Sequence, residues 1–306
     1  MIKQLFLSVL TLFVLIGCAE KSKENSAEIS TGNDLTGVNL NRKVKSIKHI
    51  TYMAIKKSGE VTKGREVGNT FMSIYDMNGK LIETNNSFLN IKKIYKYDVN
   101  GNIIELSIYS NGELTQECII KYDEDGNKIE EGCNYTNGEF SNKTTYKYDN
   151  KGNEIEKKFF NDRETTNTEK HKYDKKGNKI ESKTYFNGEL VNKTIFKYDE
   201  KGNRIEANTT LYSNREEFSF KTTTYKYDEK GNDIENNTYD TNGEFKAMKK
   251  NKYDENGNLI EWNRYHSNGV TENRKYKYDN KGNLIEWIDY KNGFPQKIYE
   301  IKREYY

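Results

Sequence analysis

The sequence predicts an all-β fold: a repetitive antiparallel β-hairpin meander forming an elongated twisted or spiralled sheet. Three observations predict it. First, a short core recurs nine times as YDMNGKLIE (Tyr75), YDVNGNIIE (Tyr97), YDEDGNKIE (Tyr122), YDNKGNEIE (Tyr148), YDKKGNKIE (Tyr173), YDEKGNRIE (Tyr198), YDEKGNDIE (Tyr227), YDENGNLIE (Tyr253) and YDNKGNLIE (Tyr278). Successive tyrosines lie 22, 25, 26, 25, 25, 29, 26 and 25 residues apart, the signature of a repeat array. Second, two turn signals alternate. Asp-x-x-Gly supplies an aspartate that accepts from its own turn and a glycine for positive φ, as at Asp149/Gly152, Asp174/Gly177, Asp199/Gly202 and Asp254/Gly257. Asn-Gly, at Asn111, Asn137, Asn187, Asn242, Asn268 and Asn292, is the strongest short signal for a two-residue hairpin. Third, the runs between turns are rich in Tyr, Thr, Ile and Phe and carry no 3.6-residue stripe, so they read as strands.

The elements follow in chain order. Residues 1–17 place a lysine before an apolar run from Leu5 to Ile16, too short to span a bilayer, and read as a secretory signal. The ending Leu15-Ile16-Gly17-Cys18 resembles the bacterial lipobox. By that resemblance Cys18 is the lipidated N-terminus of the mature chain, and several acyl chains together make a stable anchor, the expected sites being the outer membrane or cell surface. Residues 18–43 are polar and read as a flexible tether. Residues 44–306 form the repeat array, with an irregular N-terminal cap at 44–74 and strands meeting around Ser58-Gly59. Asn161-Asp162 keeps part of the second turn signal, whereas Asn214-Arg215 fits it poorly and sits in the longest spacer. Residues 290–306 are a C-terminal half-repeat cap containing the only proline, Pro295, and a final strand whose Lys and Arg discourage edge pairing.

A 25-residue step is odd and side chains alternate faces, so the loops of one unit must shift parity once. A two-residue Asn-Gly loop with a three-residue x-x-Gly loop achieves this. That register puts Tyr97, Tyr109, Leu114, Ile120 and Tyr122 on one face, with glutamates such as Glu105 and Glu156. It puts Lys96, Ile104, Leu106, Ile108 and Lys121 on the other. With 33% hydrophobic and 32% charged residues, neither face builds an ordinary two-sided core.

The Tyr-x-Tyr-Asp-x-x-Gly-Asn-x-Ile core followed by an Asn-Gly spacer resembles the YD repeats of the Rhs family over about residues 75–290. In large members of that family such repeats build a β-sheet shell around a C-terminal toxin. Here the repeats are few and no cargo follows Tyr306, so toxin delivery is not carried over. A weaker likeness to MORN-type repeats implies an immunity or antitoxin-like alternative, and a purely structural envelope protein is the other alternative.

Candidate chemistry is sparse. Cys118 and Cys133 flank one turn, but the register above sets Cys118 opposite Gly132 and predicts no disulfide. The DEDG turn at Asp123 invites calcium, yet equivalent turns carry lysine where a ligand is needed, so no metal is expected. His49, His171 and His266 lack partners at ligand spacing. Acidic residues that recur in every unit read as scaffold. A net charge of +3 with balanced Lys and Glu gives no basic stripe for nucleic acid. Trp262 and Trp287 hold equivalent places in adjacent repeats, and with Tyr265 and Tyr290 they form the candidate ligand contact. The sequence therefore predicts a lipid-anchored, non-catalytic binding scaffold for a protein or glycan, without a cofactor. Were it an enzyme, its cleft would lie in the spacer from Asn208 to Lys221.

Overall fold

A computed structural model describes residues 43–306 apart from 69, 137–140, 162–165 and 214–215. The leader, Cys18 and nearly all of the tether lie outside the described residues, as do the tips at Asn137-Gly138, Asp162 and Asn214-Arg215. The described chain is all-β. β1 (Val44–Lys57) and β2 (Glu60–Glu66) form the Ser58-Gly59 hairpin. Nine hairpins then flank the Asp-x-x-Gly turns: β3 (Phe71–Tyr75) with β4 (Leu81–Asn86), β5 (Ile91–Tyr97) with β6 (Ile103–Ser110), β7 (Glu113–Tyr122) with β8 (Lys128–Tyr135), β9 (Ser141–Tyr148) with β10 (Glu154–Asn161), and β11 (Thr166–Tyr173) with β12 (Lys179–Phe186). The series continues with β13 (Glu189–Tyr198) and β14 (Arg204–Ser213), β15 (Glu216–Tyr227) and β16 (Asp233–Tyr239), β17 (Phe245–Tyr253) and β18 (Leu259–His266), and β19 (Thr271–Tyr278) and β20 (Leu284–Lys291), before β21 (Phe294–Tyr305) ends it. The described residues of the spacer from Asn208 to Lys221 prolong β14 and β15 as a paired hairpin.

The Asp-x-x-Gly turns close by the expected chemistry. Asp149 Oδ1 accepts from the N–H of Lys151 and of Asn153, each at 2.9 Å, while Oδ2 accepts from Asn153 Nδ2. Gly152 sits at φ +81° with no side chain pressing on it, so only its conformational freedom is at stake. Asp174, Asp199 and Asp254 repeat the arrangement with Gly177, Gly202 and Gly257. These oxygens are consumed by the turn itself. Asn111, Asn187 and Asn292 take positive φ before their glycines, as a two-residue turn of this kind needs. Asn242-Gly243 and Asn268-Gly269 differ from expectation: each lies in a three-residue loop, bridged by Asp240 to Glu244 and by His266 to Val270.

The register corrects the expected faces. Lys96 pairs with Glu105 but Tyr97 with Ile103, which leaves Ile104 as a bulge, and the same shift recurs beside each of the nine Asp-x-x-Gly turns. A second bulge follows the Asn-Gly turns, leaving Thr115, Val191 and Gln296 extra. Two bulges preserve repeat-to-repeat parity but flip the strand between them. Tyr97, Leu106, Ile108, Ile120 and Tyr122 therefore share one face, while Lys96, Glu105, Tyr109, Leu114 and Lys121 share the other. The same slip sets Cys118 opposite Cys133, and the two form a disulfide with Cα atoms 3.9 Å apart. The expectation that they stay unpaired is overturned.

The sheet is closed, where the sequence predicts an elongated twisted or spiralled one. β1 pairs with β21 from Met53–Lys297 to Val44–Tyr305 on one edge and with β2 and β3 on the other. With β2 outside the circuit, twenty of the 21 strands form a barrel. The two expected caps are thus the two sides of a seam, reinforced by Tyr306 N–H on the Lys43 carbonyl at 3.0 Å and Tyr306 OH on the Tyr75 carbonyl at 2.6 Å. Bulges bend and twist a strand pair, and a bulge repeated in the same place bends every hairpin alike. That accumulated bend is what brings the ends together.

Candidate functional site

The two faces of the wall differ in chemistry. Outside, one ion pair recurs from repeat to repeat: Lys96–Glu105, Lys121–Glu130, Lys147–Glu156, Lys172–Glu181, Lys197–Glu206, Lys226–Glu235 and Lys252–Glu261, at 2.5 to 3.2 Å. These lysines are some three-fifths or more exposed. Outer lysines also sit over outer tyrosines, Lys92 on Tyr109, Lys170 on Tyr185 and Lys275 on Tyr290.

Inside, the repeat tyrosines form a ladder. Each hydroxyl donates to a backbone carbonyl of the preceding unit: Tyr97 to Leu81, Tyr122 to Ile103, Tyr148 to Lys128, Tyr173 to Glu154, Tyr198 to Lys179, Tyr227 to Arg204, Tyr253 to Asp233 and Tyr278 to Leu259. At the seam Arg303 takes the tyrosine's place and donates to the Leu284 carbonyl. The apolar core is small: Leu106, Cys118, Ile120 and Cys133 cluster on β6 to β8, and Val44, Ile47 and Ile301 along the seam. Most other inward side chains, among them Tyr146, Phe159, Phe196 and Tyr225, are only half-buried, as they are when a closed sheet of this strand number encloses a lumen.

Around that lumen the inward residues change from repeat to repeat. On β8 to β14 they include Lys128, Glu131, Glu154, Lys157, Glu169, His171, Lys179 and Arg204. Lys128 reaches Glu131 at 3.0 Å and lies 4.6 Å from the centre of the Tyr146 ring. Burial works to lower its pKa, but the Glu131 carboxylate and the Tyr146 hydroxyl outweigh it and hold the ammonium above its ordinary value. His171 Nε2 stands 3.8 Å from Glu154, which strand pairing brings from β10 and sequence spacing missed, and 3.9 Å from Glu169, two residues earlier on its own strand. Burial, then the Lys179 and Lys157 ammonium groups, pull its pKa down to about 4. His266 likewise gains Glu272 at 3.7 Å.

On β16 to β21 the lumen carries the tryptophans. Trp262 lies opposite Asn251 and Arg274, and Trp287 opposite Tyr276 and Tyr299. The two indoles share the inner face but do not touch, because β19 runs between them with Arg274 and Tyr276. Trp287 stacks on Tyr299 at 4.6 Å and meets His49 edge-on at 6.4 Å. Arg274 holds Asp289 with Nε 2.6 Å from Oδ1 and lies 5.9 Å from the Trp262 ring centre. Trp287 Nε1, Asn251 Oδ1 and Asp233 Oδ1 are buried without hydrogen-bond partners among the described residues. Tyr265 and Tyr290 depart from expectation: the register turns both to the outer face, so they cannot meet a ligand together with the tryptophans. Cys118, Glu131 and Cys133 bring three possible metal-ligating atoms within 4.8 Å of one another, but both sulfurs are committed to the disulfide.

No family model matches the chain, and no curated protein matches it. Solved structures do show similarity. A TcdB2-TccC3-Cdc42 complex is 13% identical over 78% of this chain and 16% of that one, with a TM-score of 0.30. The Photorhabdus luminescens Tc holotoxin pore is 12% identical over 79% of this chain and 16% of that one, with a TM-score of 0.28. A porin-like protein from Bacteroides uniformis is 13% identical over 85% of this chain and 96% of that one, with a TM-score of 0.37. The chain thus spans about one sixth of the length of the toxin chains it matches.

Proposed function

We propose that this chain is an exported, lipid-anchored, non-catalytic binding barrel whose contact surface is its inner wall. The observation that carries the reading is how unlike one another equivalent inner positions are. The outer Lys–Glu pair is repeated almost without change, as a scaffold position is, whereas equivalent inner positions read Thr84, Leu106, Glu131, Lys157, Ser182, Ala207, Asn236, Trp262 and Trp287. The inner wall therefore offers a partner different charge, size and aromatic surface around the lumen. Buried polar atoms without partners cost roughly 1–3 kcal/mol each, so those beside the tryptophans are retained against stability. The charged exterior suits water; a barrel wall that meets lipid carries an apolar band instead. Cys18, by its resemblance to the lipobox cysteine, supplies the anchor, and the membrane is the first partner.

The test is capture of envelope material by the full chain in mild detergent. Trp262→Ala and Trp287→Ala are expected to lower the amount of glycan or protein captured at least threefold with the far-ultraviolet dichroism unchanged. Tyr265→Ala and Tyr290→Ala, on the outer face, are expected to capture as the parent does. Equal capture by all four variants would remove the inner wall as the contact surface.

A further inference from the structure

Resting on the binding role proposed above, we infer that the inner wall between β8 and β14 takes an acidic polysaccharide, a chain whose sugars carry carboxylates and hydroxyls together. The argument begins with charge. Seven outer repeat lysines are met by a glutamate, but among the described residues the inner Lys157 and Lys179 have no carboxylate within ion-pair distance. Lys157 on β10 lies opposite Glu169 of β11 and Lys179 on β12 opposite Tyr173, so their backbones are two strands and four residues apart, roughly 16 Å on the diagonal, a span that an oligosaccharide bridges. An anionic chain running obliquely across the strands would meet both.

Aromatic rings lie beside these cations. Lys157 is 5.9 Å from the Tyr146 ring centre, Lys179 is 5.9 Å from Tyr173, and the Arg204 guanidinium is 4.6 Å from Tyr225. Such rings give the apolar face of a sugar a surface to stack on. Glu154 and Glu169 stand on the same wall, where their carboxylates would accept from sugar hydroxyls, donors that a polyphosphate chain lacks. Cations, rings and acceptors in one place match a carboxylated glycan better than a nucleic acid or an acidic peptide. The depressed pKa of His171 is consistent with the positive potential of this wall, although burial is its larger cause.

The experiment titrates the full chain in nonionic detergent with a galacturonic acid hexamer, and in parallel with a neutral dextran oligomer, oligothymidylate and polyglutamate, reading heat of binding. The hexamer is expected to bind, more weakly as salt rises. The Lys157→Gln/Lys179→Gln double variant is expected to weaken it at least tenfold, and the outer Lys96→Gln to leave it unchanged. Single variants serve if the double variant's thermal midpoint drops. No binding of the hexamer, undiminished binding by the lysine variants, or equal binding of oligothymidylate or polyglutamate would each overturn the inference. Envelope capture sensitive to the tryptophans would then still stand, so the two readings fail separately.

Discussion

A phenol that donates to a backbone carbonyl one repeat away is a tie that costs the sequence a single residue. Replacing one hydroxyl, as in Tyr198→Phe, leaves the Lys179 carbonyl with one donor fewer, and the expected loss is about 1 kcal/mol by urea denaturation. Titration gives a sharper test. Burial first, and then neighbouring carboxylates such as Glu154 and Asp233, push Tyr148, Tyr227 and Tyr253 up to about 12, and burial does the same to Tyr278. A folded pKa above the unfolded value of 10 means that the unfolded chain releases its phenolic protons first. The stabilisation is therefore whole below pH 10 and is lost as pH rises towards 12. The melting temperature is expected to hold through pH 9 and fall across that window, with part of the tyrosinate absorbance delayed to pH 12. A flat melting profile to pH 12 would show that these hydroxyls are not buried in the ladder.

At the scale of the hairpin, the sequence shows strands, turns and repeat equivalence plainly, because Asp-x-x-Gly marks nine of the corners and a tyrosine ends the strand before each of them. What it hides is the bulge. Ile104, Ile129 and their equivalents are ordinary strand residues by type, and nothing in their chemistry announces that each is skipped in the pairing. One skipped residue reverses every face beyond it, which is why Glu105 and Leu106 are misplaced by pattern alone and why Cys118 is set against Gly132 instead of Cys133. The tryptophans are legible as a candidate pair from equivalent spacing, but Arg274, Tyr276 and Tyr299 join them only through pairing across strands. The disulfide gives this scale its prediction. It spans 15 residues, for which the chain-entropy account expects about 3 kcal/mol. Reduction should lower denaturant stability by that order and raise the intact mass by two hydrogens; thiols that react in full before any reductant is added would disprove the pairing.

For the whole molecule the question is whether the repeats stand as an array or as a ring. In an open array each unit leans only on its neighbours, so damage at one end stays there. In the barrel, β21 joins β20 to β1, and the seam spans Met53 to Val44 along its full length. Removing residues 294–306 exposes two long edges at once, and with them the bend that every bulge has built up loses its closure. The expected outcome is therefore distant as well as local. Amide exchange should quicken in β10 to β13, on the far side of the circuit from the deletion, and the truncated protein should self-associate through its new edges. A second variant separates closure from mere loss of residues: linking Tyr306 to Lys43, whose backbones already meet at 3.0 Å, and opening the chain at Asn187-Gly188 keeps every strand and the seam while moving the termini. Such a permutant should retain exchange protection across the barrel. If the truncated protein instead keeps full protection in β10 to β13 and stays monomeric, the units hold by neighbour contacts alone, and the lumen loses the rigid wall on which the proposed binding depends.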